Sequence, residues 1–136
     1  PLDADAPPEI WRTRAKIENK LGLYDGAVAS LLKGAEKEPD DPEWYYRAGL
    51  LAQEHGDSAR AVEFQRQAVQ RYAAYAPARI ELGFRAIRDG DLRTAKEQLF
   101  ELRRIRIPDD STRRKVDFLA AGVDSLERGL GGNQNY

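Results

Sequence analysis

Small residues recur every 34 positions in this chain, and that recurrence limits the fold more than any other feature. Shifting the sequence by this interval aligns Gly22, Gly56 and Gly90, then Ala27, Ala61 and Ala95, then Ala15, Gly49 and Gly83. Looser matches follow the same register: Ala52 with Ala86, Asp57 with Asp91, Leu31 with Leu99, Gly34 with Ala68, and Pro39 near the equivalent of Pro108. Self-similarity at this period marks stacked helical hairpins, each too small to bury its own apolar face.

Within each unit apolar residues recur at helical spacing on both sides of the central glycine, as in Trp44, Ala48, Leu51 and then Ala61, Phe64, Ala68. Each unit therefore reads as helix, turn, helix. The turn glycines stand where a first helix must stop in a left-handed residue, and Asp57 and Asp91 follow as caps of the next helix. Two antiparallel helices approach closely only where neither carries bulk, so the repeated Ala and Gly positions mark their contact points. Asp41 with Pro42, Pro77 and Pro8 signal helix starts. The expected helices span about 8–21, 24–38, 42–55, 58–73, 77–89 and 92–104.

After Pro108 the segment "DDSTRRKVDFLAAGVDSLERGL" carries apolar residues at Val116, Leu119, Ala120, Val123 and Leu126, with no partner helix after it. A stack of repeats leaves its last apolar face open unless a further helix covers it, so a capping helix over about 109–129 is expected. The predicted fold is all-α: three helix-turn-helix repeats over about 8–41, 42–75 and 76–108, plus that C-terminal capping helix, in a right-handed α-solenoid. Residues 1–7 read as a flexible leading segment and 131–136 as a linker or tail. Methionine is absent, even at position 1, so the expectation is a processed or trimmed piece of a longer protein.

Composition narrows the function. The 136 residues are 41% hydrophobic and 33% charged with a net charge of −1, which lacks the basic excess that phosphate-backbone binding requires, so nucleic acid is not an expected partner. No apolar run approaches the roughly 20 residues that cross a bilayer. The absence of cysteine leaves the redox compartment open. His55, the single histidine, precedes a turn glycine with no second histidine or cysteine to build a metal or nucleophile site. No Gly-rich phosphate loop occurs. The reading is a chain with no catalytic residues, no metal and no cofactor.

The period with its glycine and alanine positions resembles the tetratricopeptide repeat, which also places Trp11 near the start of its unit and Pro39 near the end. Gln65 and Leu99 depart from that family's aromatic in the second helix, although Phe64 and Phe100 lie beside them. A narrower resemblance covers "APARIELGFRAIRDGDLRTAKEQLFELRRIRIPDDSTRRKVDFLAAGVDSLERG". In it Arg79, Glu81, Leu82, Gly90, Asp91, Ala95, Lys96, Phe100, Pro108 and the helix with Phe118 and Leu119 match, in order, the segment that closes the N-terminal periplasmic domain of the surface lipoprotein assembly modifiers, the Slam family. That resemblance implies a protein-binding domain on the periplasmic side of the bacterial outer membrane. It would be tethered to a β-barrel and would recruit a lipoprotein or haem-related client for surface display. The alternative is a generic tetratricopeptide adaptor, cytoplasmic or periplasmic, that binds a peptide or helix of a partner.

In stacked hairpins of this class the first helices face the concave side. By register the partner-binding groove is then Arg12, Lys16, Asn19 and Lys20 in the first unit; Tyr46, Leu50, Gln53 and Glu54 in the second; and Ile80, Phe84, Ile87 and Arg88 in the third. Its character runs from basic through mixed to apolar. Tyr46, Leu50, Phe84 and Ile87 could anchor an apolar helix or peptide; alternatively the capping helix covers Ile80, Phe84 and Ile87, with Phe118 among its contacts. Self-association through the exposed face stays open. Tetratricopeptide domains that grip acidic chaperone tails use Lys and Asn on this face, echoed by Arg12, Lys16 and Asn19. Leu50 and Phe84 stand where that clamp needs polar groups, which argues against it. The basic run Arg103, Arg104, Arg106, Arg113, Arg114 and Lys115 reads either as an anionic-partner patch or as a solvated surface offset by Asp109, Asp110 and Asp117.

Overall fold

The structure is a computed structural model and describes residues 6–129. Among these residues there are seven helices and no strand: α1 (Pro8–Lys20), α2 (Tyr24–Lys37), α3 (Glu43–Glu54), α4 (Ser58–Arg71), α5 (Ala76–Arg88), α6 (Leu92–Leu102) and α7 (Asp110–Glu127). Every end lies within two residues of its sequence expectation. The chain divides into two compact units, Pro1–Ala73 and Ala74–Tyr136. The first holds the hairpins α1–α2 and α3–α4; the second holds the hairpin α5–α6 and the closing helix α7. The expected leading and trailing segments fall mostly outside the described residues. Ala6 and Pro7 are described, and Pro7 accepts the Ile10 N–H at 3.0 Å as α1 begins.

The hairpins turn as the register requires. Gly22, Gly56 and Gly90 have φ of +76°, +76° and +72°, a region that any residue with a Cβ enters only at a cost. Their N–H groups donate back to Asn19, Gln53 and Ile87 carbonyls at 3.1, 3.0 and 3.1 Å, which satisfies carbonyls that the ending helix leaves open. Asp57 accepts the Arg60 N–H at 3.3 Å and Asp91 the Thr94 N–H at 3.1 Å, so both expected caps form. Asp109 caps α7 with both the N–H and the hydroxyl of Thr112, bonds that hold its carboxyl below the ordinary range. At α3 the arrangement shifts by one residue. Pro42 occupies the capping position, and Asp41 accepts the Glu43 N–H at 2.9 Å.

Close approach explains the small residues. Ala27 and Ala95 are fully buried, and Ala15 and Ala61 nearly so. At Gly49 a Cβ would lie 2.3 Å from the Gln65 side chain of α4, so this seam is set by two helices of one hairpin. Gly83 differs. The atom its Cβ would strike, at 2.6 Å, belongs to Leu119 of α7. The glycine that aligns with a hairpin seam in the sequence thus serves to admit the closing helix.

In the first unit the largest buried side chain is Trp44, which is 1% exposed. It lies against Gly34 of α2, where a Cβ would come within 2.2 Å of the indole, and its Nε1–H donates to Glu38 Oε1 at 2.8 Å. Gln65 is buried beside it in the α3–α4 seam; its amide donates to the Tyr46 carbonyl at 3.2 Å while its own oxygen lacks a partner among the described residues. In the second unit Leu119 and Val123 of α7 join Ile80, Leu99 and Leu102 in one cluster. Lys96 pairs with Glu127 at 2.8 Å across α6 and α7.

Gly34→Ala provides a test of the indole notch. The substitution gains up to about 1 kcal/mol of helix propensity, but the rigid ring cannot yield, and overpacking costs about 1–3 kcal/mol. A net fall in Tm is expected, and in a Trp44→Leu background, itself destabilised by the lost indole, the same Gly34→Ala change should cost little or nothing further. A higher Tm for Gly34→Ala alone would refute the notch.

Candidate functional site

A cavity of about 440 Å³ opens in the first unit, lined by Arg12, Ala15, Lys16, Asn19, Leu31, Arg47, Leu50, Leu51, Gln53 and Glu54. Its origin is local. The buried Ala15, Leu31 and Leu51 form the apolar floor, because the seam between α1, α2 and α3 places small or aliphatic residues there. Leu50, 36% exposed, stands on the rim as the most accessible apolar group. Polar and charged side chains of α1 and α3 make the walls.

Four of the wall residues, Arg12, Arg47, Asn19 and Glu54, make specific contacts. The Arg12 guanidinium lies 4.9 Å from the centroid of the Trp44 ring, within the range at which the ring quadrupole attracts a cation. Its Nε is shielded from solvent with no hydrogen-bond partner among the described residues. Arg47 is paired within its helix with Glu43 at 2.7 Å. Asn19 bridges α1 to the end of α3: its amide donates to Glu54 Oε1 at 3.4 Å and its oxygen meets His55 Nε2 at 3.0 Å. The His55 ring in turn stacks on Tyr24 at 4.6 Å, and the Tyr24 hydroxyl donates to Asp57 at 3.2 Å. His55 is therefore a helix-end residue in a junction of hydrogen bonds.

Six of the residues assigned to the groove from sequence come together here: Arg12, Lys16, Asn19, Leu50, Gln53 and Glu54. Lys20 and Tyr46 do not line the cavity; Lys20 is exposed in the last turn of α1 and Tyr46 is half-buried over Gln65. Arg47 was missed, although it lies three residues before Leu50 and seven before Glu54, on the same helical face.

The second unit corrects the expectation for the third repeat. Ile80 is 2% exposed, and Phe84 and Ile87 are half-buried against the cluster that contains Leu119 and Val123. These three side chains are covered by α7 and present no open apolar strip. The reason is the closing helix itself, whose Leu119 enters the notch at Gly83 and whose Gly122 lies against Ile87. Phe118, expected among the covering contacts, is 73% exposed on the outer side of α7. Arg88 stays exposed at the end of α5.

Glu81 of α5 is half-buried in this unit. Burial pushes its carboxyl above the ordinary value of 4.5, while Lys115 and Arg88 pull the other way. The folded state thus binds the proton more tightly than the unfolded chain does, and ionisation of Glu81 weakens the fold as pH rises from 4.5 through the raised value. Glu81→Gln should melt higher than the parent at pH 7, with the difference vanishing at pH 3, where both side chains are neutral. An equal gap at both pH values would show that charge is not the cause.

Among the described residues no group of three or more His, Cys, Asp or Glu side chains could hold a metal ion, and no helix is long and apolar enough to cross a membrane. Residues 8–51 match the family model of the tetratricopeptide repeat. No curated protein matches the sequence significantly. Among solved structures the TPR domain of P58(IPK) has a TM-score of 0.75 at 18% identity, over 90% of this chain and 34% of that one, so this chain spans about a third of its length. The TPR2B domain of yeast Sti1, solved in complex with pHsp70, gives 0.71 at 18% identity, over 87% of this chain and 96% of that one. The first TPR of Spaghetti (RPAP3), bound to an HSP90 peptide, gives 0.66 at 17% identity, over 91% and 100%. At these identities the likeness is one of fold: the chain is built as three tetratricopeptide-type hairpins with a closing helix.

Proposed function

We propose that this chain is a non-catalytic protein-interaction domain that takes a segment of a partner protein into the α1–α3 groove of its first unit. The observation that carries the proposal is the cavity itself, where an apolar floor and the accessible Leu50 are flanked by Arg12, Lys16 and Asn19 of α1 and by Arg47, Gln53 and Glu54 of α3. An apolar anchor with a few oriented polar groups is the usual composition of a site that binds a peptide or helix. The HSP90-peptide complex of Spaghetti and the pHsp70 complex of Sti1, which share the fold, support this reading.

The test uses a photo-crosslinking residue placed at Leu50 or Lys16, with Lys33 on the exposed side of α2 as the comparison. Crosslinks to one discrete partner are expected at the two groove positions; those from Leu50 should be lost when Arg12 and Lys16 are both changed to Glu, and those from Lys16 when Arg12 is changed to Glu. Equal yields at Lys33, or yields indifferent to the charge reversal, would move the binding surface elsewhere.

A narrower role on the periplasmic side of the outer membrane, with the domain tethered to a β-barrel and recruiting a secreted client, is supported by the residue resemblance over Ala76–Gly129 and is compatible with α7 closing that segment. Fractionated source cells probed with antibody to this domain, boiled and unboiled, separate this role from that of a free adaptor. A heat-modifiable outer-membrane band heavier than this domain is expected; a soluble cytosolic band would leave the adaptor role alone.

A further inference from the structure

The outer face of α6 in the second unit differs in kind from its register equivalent in the first. Two repeat lengths relate Asp25, Val28, Leu32, Ala35 and Glu36 of α2 to Arg93, Lys96, Phe100, Arg103 and Arg104 of α6. On α2 this face is occupied. Val28 and Ala35 are buried, Leu32 packs against the core cluster, and Asp25 pairs with Arg60 of α4 at 3.6 Å. On α6 the same face stands open: Phe100 is 61% exposed, and Arg93, Lys96, Arg103 and Arg104 are exposed around it.

The face is also concave. A groove of about 370 Å³ runs between α6 and α7, with Leu99, Phe100 and Val123 as apolar walls and Lys96, Arg103, Arg104 and Glu127 at its edges. Arg104 lies 5.3 Å from the Phe100 ring centroid, so the cation and the apolar wall form one surface. Some charge is already offset. Arg93 meets Glu97 at 3.6 Å, Arg104 meets Glu101 at 3.8 Å and Lys96 meets Glu127. These are exposed pairs, worth little and readily exchanged for a better carboxylate. Arg103 pairs with no carboxylate among the described residues.

We propose that this groove docks an acidic amphipathic helix of a partner protein, with one large apolar side chain seated between Phe100 and Val123 and carboxylates meeting Arg103, Arg104 and Lys96. Charge complementarity identifies the occupant. Where α2 offers Asp25 to an arginine, α6 offers Arg93, so the sign of the incoming residue is inverted relative to α4. A flat anionic lipid surface would meet the basic rim but could not fill the walls below it, and a second copy would bring the same basic face against itself. The site is separate from the α1–α3 groove and does not depend on the function proposed for that groove.

The probe is a fluorescein-labelled helical peptide about four turns long, with Leu and Phe at i, i+3, i+4 and i+7 and Glu on the flanks, read by anisotropy against the whole chain. A scrambled peptide of equal composition and vesicles of phosphatidylcholine with phosphatidylserine are the comparisons. Saturable binding that weakens with added salt is expected for the helical peptide. Phe100→Ala and the pair Arg103→Glu/Arg104→Glu should each weaken it at least about tenfold, while Lys33→Glu, on the exposed side of α2, leaves it unchanged. All of these side chains are exposed, and matching circular dichroism melts confirm that the variants fold. Equal affinity for the scrambled peptide, insensitivity to Phe100→Ala, or binding to vesicles without binding to the peptide would each overturn the proposal, the last in favour of a membrane surface.

Discussion

Trp44 sets the geometry on which the first unit depends. Its ring fills the notch at Gly34, its N–H is satisfied by Glu38, and the Arg12 guanidinium lies over the ring. One buried side chain thereby fixes α3 against α2 and orients a cation of α1 into the groove. A buried indole without a partner for its N–H would be costly, so the hydrogen bond to Glu38 is part of what makes the packing possible. The groove is a consequence of this contact: α3 approaches α2 closely because Gly34 has no Cβ, and Leu50 and Leu51 are carried with it to the edge and floor of the cavity.

Much of the fold was legible because its determinants are local. A positive φ at Gly22, Gly56 and Gly90 and capping carboxylates at Asp57 and Asp91 each act within a few residues of sequence, the seam alanines act within one hairpin, and a register of 34 repeats them. Half of the groove assignment held together in space for the same reason, since α1 and α3 project equivalent residues in one direction. What sequence could not settle is which neighbour covers a given apolar face. Ile80, Phe84 and Ile87 form an apolar strip with the same periodicity as a binding surface, and only the path of α7 makes them core. Phe118 is the converse case, an aromatic at core-like spacing that points outward. Gly83 carried two meanings, because absence of a side chain looks the same whether it admits the partner helix or the closing one.

The two units therefore use the same hairpin differently. In the first, the exposed side of the α1–α3 pair keeps a depression whose floor is apolar and whose walls are ionic, while its second helix α2 is covered by the next hairpin. In the second, the first helix α5 gives its apolar face to α7, and α6 keeps an open side. The α1–α3 groove thus lies on first helices of the repeats, and the α6–α7 groove lies on a second helix. The closing helix is what makes the difference, since it takes the place of a following hairpin on α5, and its Leu119 and Val123 join Leu99 and Leu102 of α6 while Phe100 stays exposed.

Charge reinforces that division. A net charge of −1 gives the whole chain little long-range field, so recognition has to come from where the charges are placed. In the first groove Arg12 is held over an indole and Asn19 is tied to Glu54 and His55, so part of the wall is positioned by contacts within the chain. On α6 the cations sit on long, exposed side chains in weak pairs, free to reorganise around an incoming carboxylate. Within a Debye length of about 8 Å at physiological salt, each surface is sensed only by a partner already close to it. For the partners proposed, the first groove would select by shape and the basic rim of α6 by sign, two modes of recognition on helices of the same repeat pattern.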